Sequence, residues 1–280
     1  MSAPANLPAN IPANIKVVLV TGASSGIGQA VARHLAARGW RVFGTSRRQA
    51  GAFDGVEMVA MDADDDDSVT RAVAAVVEKT GRLDAVVNNA GWALMGPIED
   101  TPIAEARAQM ETNFFGVLRV CRAALPIMRE QGSGHIVNIS SLGGAFGIPF
   151  SGIYSASKFA VEGLSESLRL ETRRFGVRVV LIEPGDIDSQ LPLRRRIAKP
   201  AGHASAYQEI FDRFQARQAQ DEAKAPPPDA VAALVERVLR DPRPAMRYSA
   251  GMWDQRIVLP VKRWLPYGWF ERMLGAAMGV

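Results

Sequence analysis

The chain holds one cysteine, Cys121, in 280 residues. A single thiol cannot close an intramolecular disulfide and is a poor start for a metal site. Its apolar helical surroundings mark it as a small core side chain. A chain without disulfides suits a reducing compartment, so a cytoplasmic location is expected. Histidine is nearly as scarce: His34, His135 and His203 are far apart and show no ligand spacing, so no metal is expected. No apolar run reaches the roughly eighteen residues that a membrane-spanning helix needs. The N-terminus lacks the basic and apolar regions of a secretory signal. An excess of one charge is also missing: 33 basic against 29 acidic residues leave +4, too little to argue for nucleic acid. Pro-Ala-Asn recurs at Pro4, Pro8 and Pro12. Proline at that density opposes both helix and sheet, so residues 1–15 are expected to form a flexible tail.

What is present is a core-forming composition, 48% hydrophobic, arranged as an alternation of short apolar strands and amphipathic helices. Strand-like runs occur at Lys16 to Val20, Arg41 to Thr45, Val56 to Met61, around Ala85 to Val87, at His135 to Ile139 and at Val177 to Ile182. Helical stretches separate them, among them Gln29 to Arg38, Ser68 to Lys79, a long one from Pro102 to near Glu130, and Tyr154 to Arg174. The carboxylates of Asp64 to Asp67 suit the positive end of the helix that follows. Strands that each need a helical crossover predict a parallel sheet covered on both faces. The fold expected is α/β, a single doubly wound Rossmann-type sheet over residues 16–250. A helix is expected from Asp229, with that residue as N-cap, and a last strand at Met246 to Ser249.

The turn Thr21 to Gly28, TGASSGIG, joins the first strand to the first helix. Gly22, Gly26 and Gly28 allow a tight turn and a close approach of backbone to a pyrophosphate, which then meets the free N–H groups of the helix. Ser24, Ser25 and Ile27 fall in the same turn. A site for NAD usually carries an acidic residue at the end of the second strand. Here the chain reads Thr45-Ser46-Arg47-Arg48, without a carboxylate. Guanidinium suits a 2′-phosphate through paired hydrogen bonds, so NADP(H) is expected in preference to NAD(H), with Arg47 as the leading candidate and Ser46 and Arg48 beside it.

Tyr154 and Lys158 form Y-x-x-x-K on one helical face. An ammonium beside a phenol favours the phenolate and is expected to lower the Tyr154 pKa, which makes the group usable as acid or base near neutrality. Ser141 lies thirteen residues before Tyr154, and Asn88-Asn89-Ala90-Gly91 ends the fourth strand. Both fall at carboxyl ends of strands, where open α/β sheets bind ligands. Ser140 is a competitor for Ser141, since successive strand residues face opposite ways and only one of the two can share a face with the cleft.

With TGASSGIG, Asn88 to Gly91, Asn113, Ser141, Tyr154, Lys158 and Pro184-Gly185 in this order, residues 16 to about 190 resemble the short-chain dehydrogenase/reductase family. The resemblance implies that Tyr154 protonates a carbonyl oxygen or deprotonates an alcohol, that Lys158 binds the nicotinamide ribose and lowers the Tyr154 pKa, and that Ser141 hydrogen-bonds the substrate oxygen. It further implies that Asn113 holds a water linking Lys158 to solvent, and that Asp62, with Ala63 beside it, meets the adenine. Asn89, Ala90 and Gly91 would shape the cofactor cleft, and Ile187 and Ser189 would follow Pro184-Gly185 against the nicotinamide. Family members often pair through their two long helices, so a homo-oligomer, dimer or tetramer, is expected.

The residues after Gly185 are expected to form a substrate lid, about 186–228, followed by an aromatic and basic extension, 251–280. Gly143, Gly144, Phe146, Ile148 and Phe150 give the loop before Tyr154 an apolar lining. With V-F-G-T-S-R-R at Val42 to Arg48 and the aromatic extension, the chain resembles the steroid- and retinol-active branch, which implies a lipophilic substrate. An alternative is reduction of a 3-oxoacyl thioester on an acidic carrier, for which Arg194 to Arg196 would offer a basic patch. An alternative of another class is a non-catalytic NADP-binding scaffold. The Trp, Arg and Lys residues of the extension also suit a membrane interface, but Pro260 and Pro266 interrupt a long amphipathic helix, and packing over the site is the expected role.

Overall fold

The computed structural model describes residues 14–48, 51–188, 195–198 and 205–280. Most of the expected N-terminal tail, together with Ser189 and Arg194, lies outside them. The described strands are β1 (Val17–Val20), β2 (Arg41–Ser46), β3 (Val56–Ala60), β4 (Ala85–Asn88), β5 (Ala93–Met95), β6 (Gly134–Ile139), β7 (Val177–Pro184), β8 (Arg195–Ile197) and β9 (Arg247–Ala250). Seven of them form one sheet in the order β3-β2-β1-β4-β6-β7-β9, every neighbouring pair parallel. The expected doubly wound α/β fold is what the chain adopts.

The helices are α1 (Gly26–Ala37), α2 (Asp66–Thr80), α3 (Ile103–Met110), α4 (Gly116–Gln131), α5 (Gly152–Thr172), α6 (Gln208–Glu222), α7 (Asp229–Arg240), α8 (Trp253–Arg256), α9 (Val258–Trp264) and α10 (Tyr267–Met278). Alternation along β1 shows how the layers form. Val18 and Val20 pack with Val31 and Leu35 of α1 and Val235 of α7, whereas Val17 and Leu19 pack with Val73 of α2 and Val120 of α4. Both faces of β1 are thus covered, and all four of its residues are buried. Each such side chain contributes about 1.5–3 kcal/mol of hydrophobic stabilisation. Asp65 caps α2, its carboxylate accepting from the Ser68 N–H at 2.5 Å, as the acidic run led one to expect.

Several elements depart from the sequence reading. The long helix is broken by a π-helical segment, Glu111–Phe115, between α3 and α4. Asp229 is the first residue of α7, with Pro228 in the cap position. The last strand is shifted by one residue. Arg195 and Arg196 fall in a strand that the sequence reading did not include: β8 pairs in parallel with β5 in a separate two-stranded sheet. The extension is helical despite its prolines, because Pro260 falls in the first turn of α9 and Pro266 at the cap of α10, where a missing N–H costs nothing. Phe270 of α10 is buried against Phe146, with ring centroids 5.9 Å apart.

Candidate active site

The carboxyl ends of β1, β4, β6 and β7 meet around the place where the strand order reverses, between β1 and β4. The glycine-rich turn is locked there against the end of β4. The Thr21 hydroxyl oxygen accepts from the Asn89 and Ala90 N–H groups, both at 2.9 Å. Asn89 Nδ2 donates to the carbonyls of Thr21 and Gly22. A Cβ on Gly28 would stand 2.3 Å from Asn89 Nδ2 and 2.5 Å from the Gly22 oxygen, so no other residue fits. Gly22 and Gly26 have φ of +66° and +58°, the left-handed region that glycine adopts without strain. Ser25 starts α1 without bonding its side chain to the helix N–H groups. Beneath the turn a polar chain runs through the sheet, from Asn88 Nδ2 to Asn138 and on to the Ser165 hydroxyl.

A cavity of about 500 Å3 begins at Gly26 and Ile27 and passes Asn89 and Gly91 to reach Asn113, Ser141, Tyr154 and Lys158. Pro184, Gly185 and Ile187 line it from β7 and the loop that follows. Ser46, Arg47, Arg48, Asp62 and Ala63 are not among its lining residues. They sit at the ends of β2 and β3 on the same sheet edge, Arg47 and Arg48 exposed, with Ser46 Oγ donating to the Arg48 carbonyl. Gly22, Ser24, Ser25, Gly28 and Ala90 belong to the turn and to the strand end it rests on, outside the lining.

Ser141 bonds the Tyr154 hydroxyl and accepts the Gly143 N–H at 3.1 Å. Ser140 is buried and lies beside Gly144 and Glu162 instead, so the pairing with Tyr154 falls to Ser141. Lys158 Nζ lies 5.8 Å from the Tyr154 ring centroid and donates to the Ile139 carbonyl at 2.9 Å. Asn113, within the π segment, donates to the Trp92 carbonyl at 3.0 Å and to the Ser157 hydroxyl at 3.2 Å. Its own carbonyl accepts from the Trp92 N–H at 3.1 Å. Ser157 in turn donates to the Tyr154 carbonyl at 2.7 Å. The widened turn between α3 and α4 is thus tied to α5, the helix of Tyr154, and π segments are frequent at functional sites.

The electrostatics correct one expectation. The Tyr154 pKa stands above its ordinary value of 10.0, chiefly because of burial, with the charge of Asp186 adding to it and the Ser141 bond and Arg195 opposing. The Lys158 ammonium is directed to a backbone carbonyl. Burial lowers the Lys158 pKa to about 8, against the pull of the Glu162 carboxylate.

Other groups at the site, Arg195 and the loop before Tyr154 aside, carry no signal in the sequence. Asp186 lines the cavity, clamped by Gln255, whose Oε1 accepts the Asp186 N–H at 2.8 Å and whose Nε2 donates to Asp186 Oδ2 at 2.6 Å. Arg195 reaches the cavity from β8, Phe214 and Gln218 from α6, and Val261, Met273 and Leu274 from the extension. Of the loop before Tyr154, Phe146 and Ile148 line the cavity, while Phe150, at φ +55°, packs on Phe211 and Phe214.

Fold and site define an α/β oxidoreductase of the nucleotide-binding type. A family profile described as short chain dehydrogenase matches residues 16–199. The chain is 39% identical over 251 residues to a 3-ketodihydrosphingosine reductase of Bacteroides thetaiotaomicron, covering 90% of this chain and 93% of that protein. It is 36% identical over 252 residues to the 17-beta-hydroxysteroid dehydrogenase type 1 of Mus musculus, covering 83% and 72%. A short-chain dehydrogenase of Streptomyces avermitilis, known from its crystal structure, superposes with a TM-score of 0.78 at 34% identity, covering 89% of this chain and 93% of that one. The chain belongs to the short-chain dehydrogenase/reductase family, oxidoreductases that act on CH–OH and C=O groups.

The family implies a nicotinamide cofactor, and the residues present fit one. The space a Gly28 side chain would take is closed by Asn89 and the Gly22 carbonyl, the turn opens a helix N-terminus, and a single cavity connects that turn with Tyr154.

Proposed function

We propose that this enzyme interconverts a lipophilic ketone or aldehyde and its alcohol with NADP(H), Tyr154 acting as general acid or base. The observation that carries the proposal is the cavity itself: Ser141, Tyr154, Lys158 and Asn113 meet along one part of it, while Met95, Phe146, Phe214 and Leu274 are among the apolar residues that line other parts. When bound, the nicotinamide supplies a hydride to the carbonyl carbon or takes one from the alcohol carbon. Ser141 holds the substrate oxygen, and Tyr154 gives that oxygen its phenolic proton in reduction or removes the proton in oxidation. The positive charge of Lys158 stabilises the phenolate left behind, and Lys158 is suited to hold ribose hydroxyls. Gly22 to Gly28 would take the pyrophosphate, Asp62 the adenine, and Ile187 the nicotinamide side. Arg47, exposed at the end of β2 without an acidic neighbour there, would take the 2′-phosphate, with Ser46 and Arg48 beside it.

The names of the relatives, a sphingoid ketone reductase and a steroid dehydrogenase, support a lipophilic substrate. The carrier-protein alternative gains no support from the arginines. Arg195 pairs with Glu222, and Arg196 lies over the Trp92 ring at 4.4 Å, so the described part of that basic patch is engaged internally.

Turnover should be followed at the cofactor absorbance, with NADPH and NADH side by side on a panel of long-chain and polycyclic carbonyls. Tyr154→Phe should lower kcat by about a hundred- to ten-thousandfold while NADPH binding persists. Retention of most activity in that variant would remove Tyr154 from the chemistry.

A further inference from the structure

The cavity is not uniformly apolar, and its polar residues sit close to the reacting group. Asp186 directly follows Gly185, and its charge is felt at the Tyr154 phenol. The Gln255 clamp fixes the carboxylate at the cavity wall. The cations that line the same region are paired elsewhere: Arg195 with Glu222, and Arg217 with Asp221 at 3.3 Å. Among the described residues Asp186 has no ion-pair partner. Its carboxyl is raised above the ordinary carboxylate range, first by burial, with Glu222 and Asp221 adding to the effect and the Gln255 bond and the Arg195 charge opposing it. Among the described residues Gln218 Oε1, a further buried acceptor in this cavity, has no hydrogen-bond partner. From here apolar side chains, Phe214 from α6 and Leu274 and Met278 from α10, continue the wall.

A half-buried carboxylate held rigid, in a stretch of wall where Asp186, Asp188, Asp221 and Glu222 outnumber Arg195 and Arg217, favours a cation that the ligand brings. We infer that Asp186 is a specificity residue that holds an ammonium group on the carbon next to the reacting carbonyl, so that the substrate is an amphiphilic α-amino ketone, or the matching amino alcohol, whose alkyl chain lies along the apolar wall. This rests on the carbonyl–alcohol reading of the site and narrows its substrate class. The amine binds as the protonated ammonium and is unchanged in the reaction. The ketone carbon and oxygen become the alcohol, with the proton from Tyr154.

The test compares three compounds of equal chain length with NADPH: the α-amino ketone, the same ketone without the amine, and the N-acetylated α-amino ketone. Wild-type kcat/KM should favour the free amine over both others by at least about tenfold, mainly through KM. Asp186→Asn should bring the ratio close to one, and Asp186→Glu should restore part of it. In parallel, calorimetry on the NADPH complex should show dodecylamine binding at least about tenfold tighter than dodecanol, a difference lost in Asp186→Asn. A wild-type ratio near one, or a ratio that Asp186→Asn leaves unchanged, overturns the assignment. Equal binding of amine and alcohol overturns it too, without any turnover. If no carbonyl is turned over yet the amine preference is seen and depends on Asp186, the recognition stands and the reaction assignment fails.

Discussion

The edge that holds the glycine-rich turn and the far wall of the cavity are built in different ways. At the edge, contact is made by backbone or by short side chains bonded to backbone. Thr21 ties two N–H groups of the β4 end to the turn, Asn89 ties the turn back, and Gly28 leaves no space for a methyl group. The far wall relies on side-chain packing: Phe150 against Phe211 and Phe214, Phe146 against Phe270, and ion pairs such as Arg217 with Asp221. Backbone contacts accept very few residues at each position, because hydrogen-bond geometry is fixed. Apolar side-chain contacts accept many, provided that volume is kept. The first arrangement suits one unvarying dinucleotide. The second allows one scaffold to serve many substrates. The outer surface of the extension reinforces the contrast: Trp253, Trp264 and Trp269 are 78%, 82% and 65% exposed, while Val261, Leu274 and Met278 of the same segment turn inward to the cavity.

The sharpest way to break this comparison is at Gly28. Gly28→Ala should weaken NADPH binding by about a hundredfold, since a displacement of an ångström is enough to cost that much; fluorescence titration measures it, and a thermal melt separates it from unfolding. Unchanged affinity would mean that the edge is not rigid. Removing residues 251–280 should do the opposite. KM for a long-chain carbonyl should rise at least about tenfold, from the loss of roughly two buried apolar groups, while NADPH affinity holds. A matching loss of cofactor affinity would show that the two regions are one unit. Arg47→Asp should lower kcat/KM with NADPH by about tenfold or more and raise it with NADH, by loss of a charge-assisted contact worth about 1.5–3 kcal/mol. No change in the ratio would place the 2′-phosphate elsewhere.

The smallest effect concerns charge at the edge. Burial, with the nearby Glu162, raises the Glu183 carboxyl from 4.5 to about 7, against the pull of Arg247. The folded chain therefore holds this proton more tightly than the unfolded one. Its contribution to stability is complete below about 4.5, diminishes as the pH rises, and is lost above about 7. Glu183→Gln should flatten this slope, so that the fall in Tm between pH 5 and pH 8 is smaller than in the wild type. An identical fall in both proteins would show that Glu183 is not the titrating group.

Much of the cofactor edge is legible in the sequence, because its contacts are made by backbone and by residues that narrow geometry restricts to a few types. The strand alternation yields a parallel sheet because both faces must be covered, and the glycine spacing, Asn89, Ser141, Tyr154 and Lys158 are local patterns with local causes. The far wall of the cavity leaves few such marks. That Arg195–Ile197 pairs with Ala93–Met95 follows from chain segments about a hundred residues apart, and nothing local announces it. The π segment around Asn113 is likewise hidden within a plain helical pattern.

The sequence alone determined the doubly wound sheet, the turn that opens toward a dinucleotide, and the residue types available for proton transfer, since each depends on periodicity or on neighbours along the chain. Tertiary structure alone decided that burial raises the pKa of Tyr154, that Gln255 clamps Asp186, and that the extension closes over the cavity. Burial and electrostatic fields are set by groups distant in sequence, and only the folded chain brings them together.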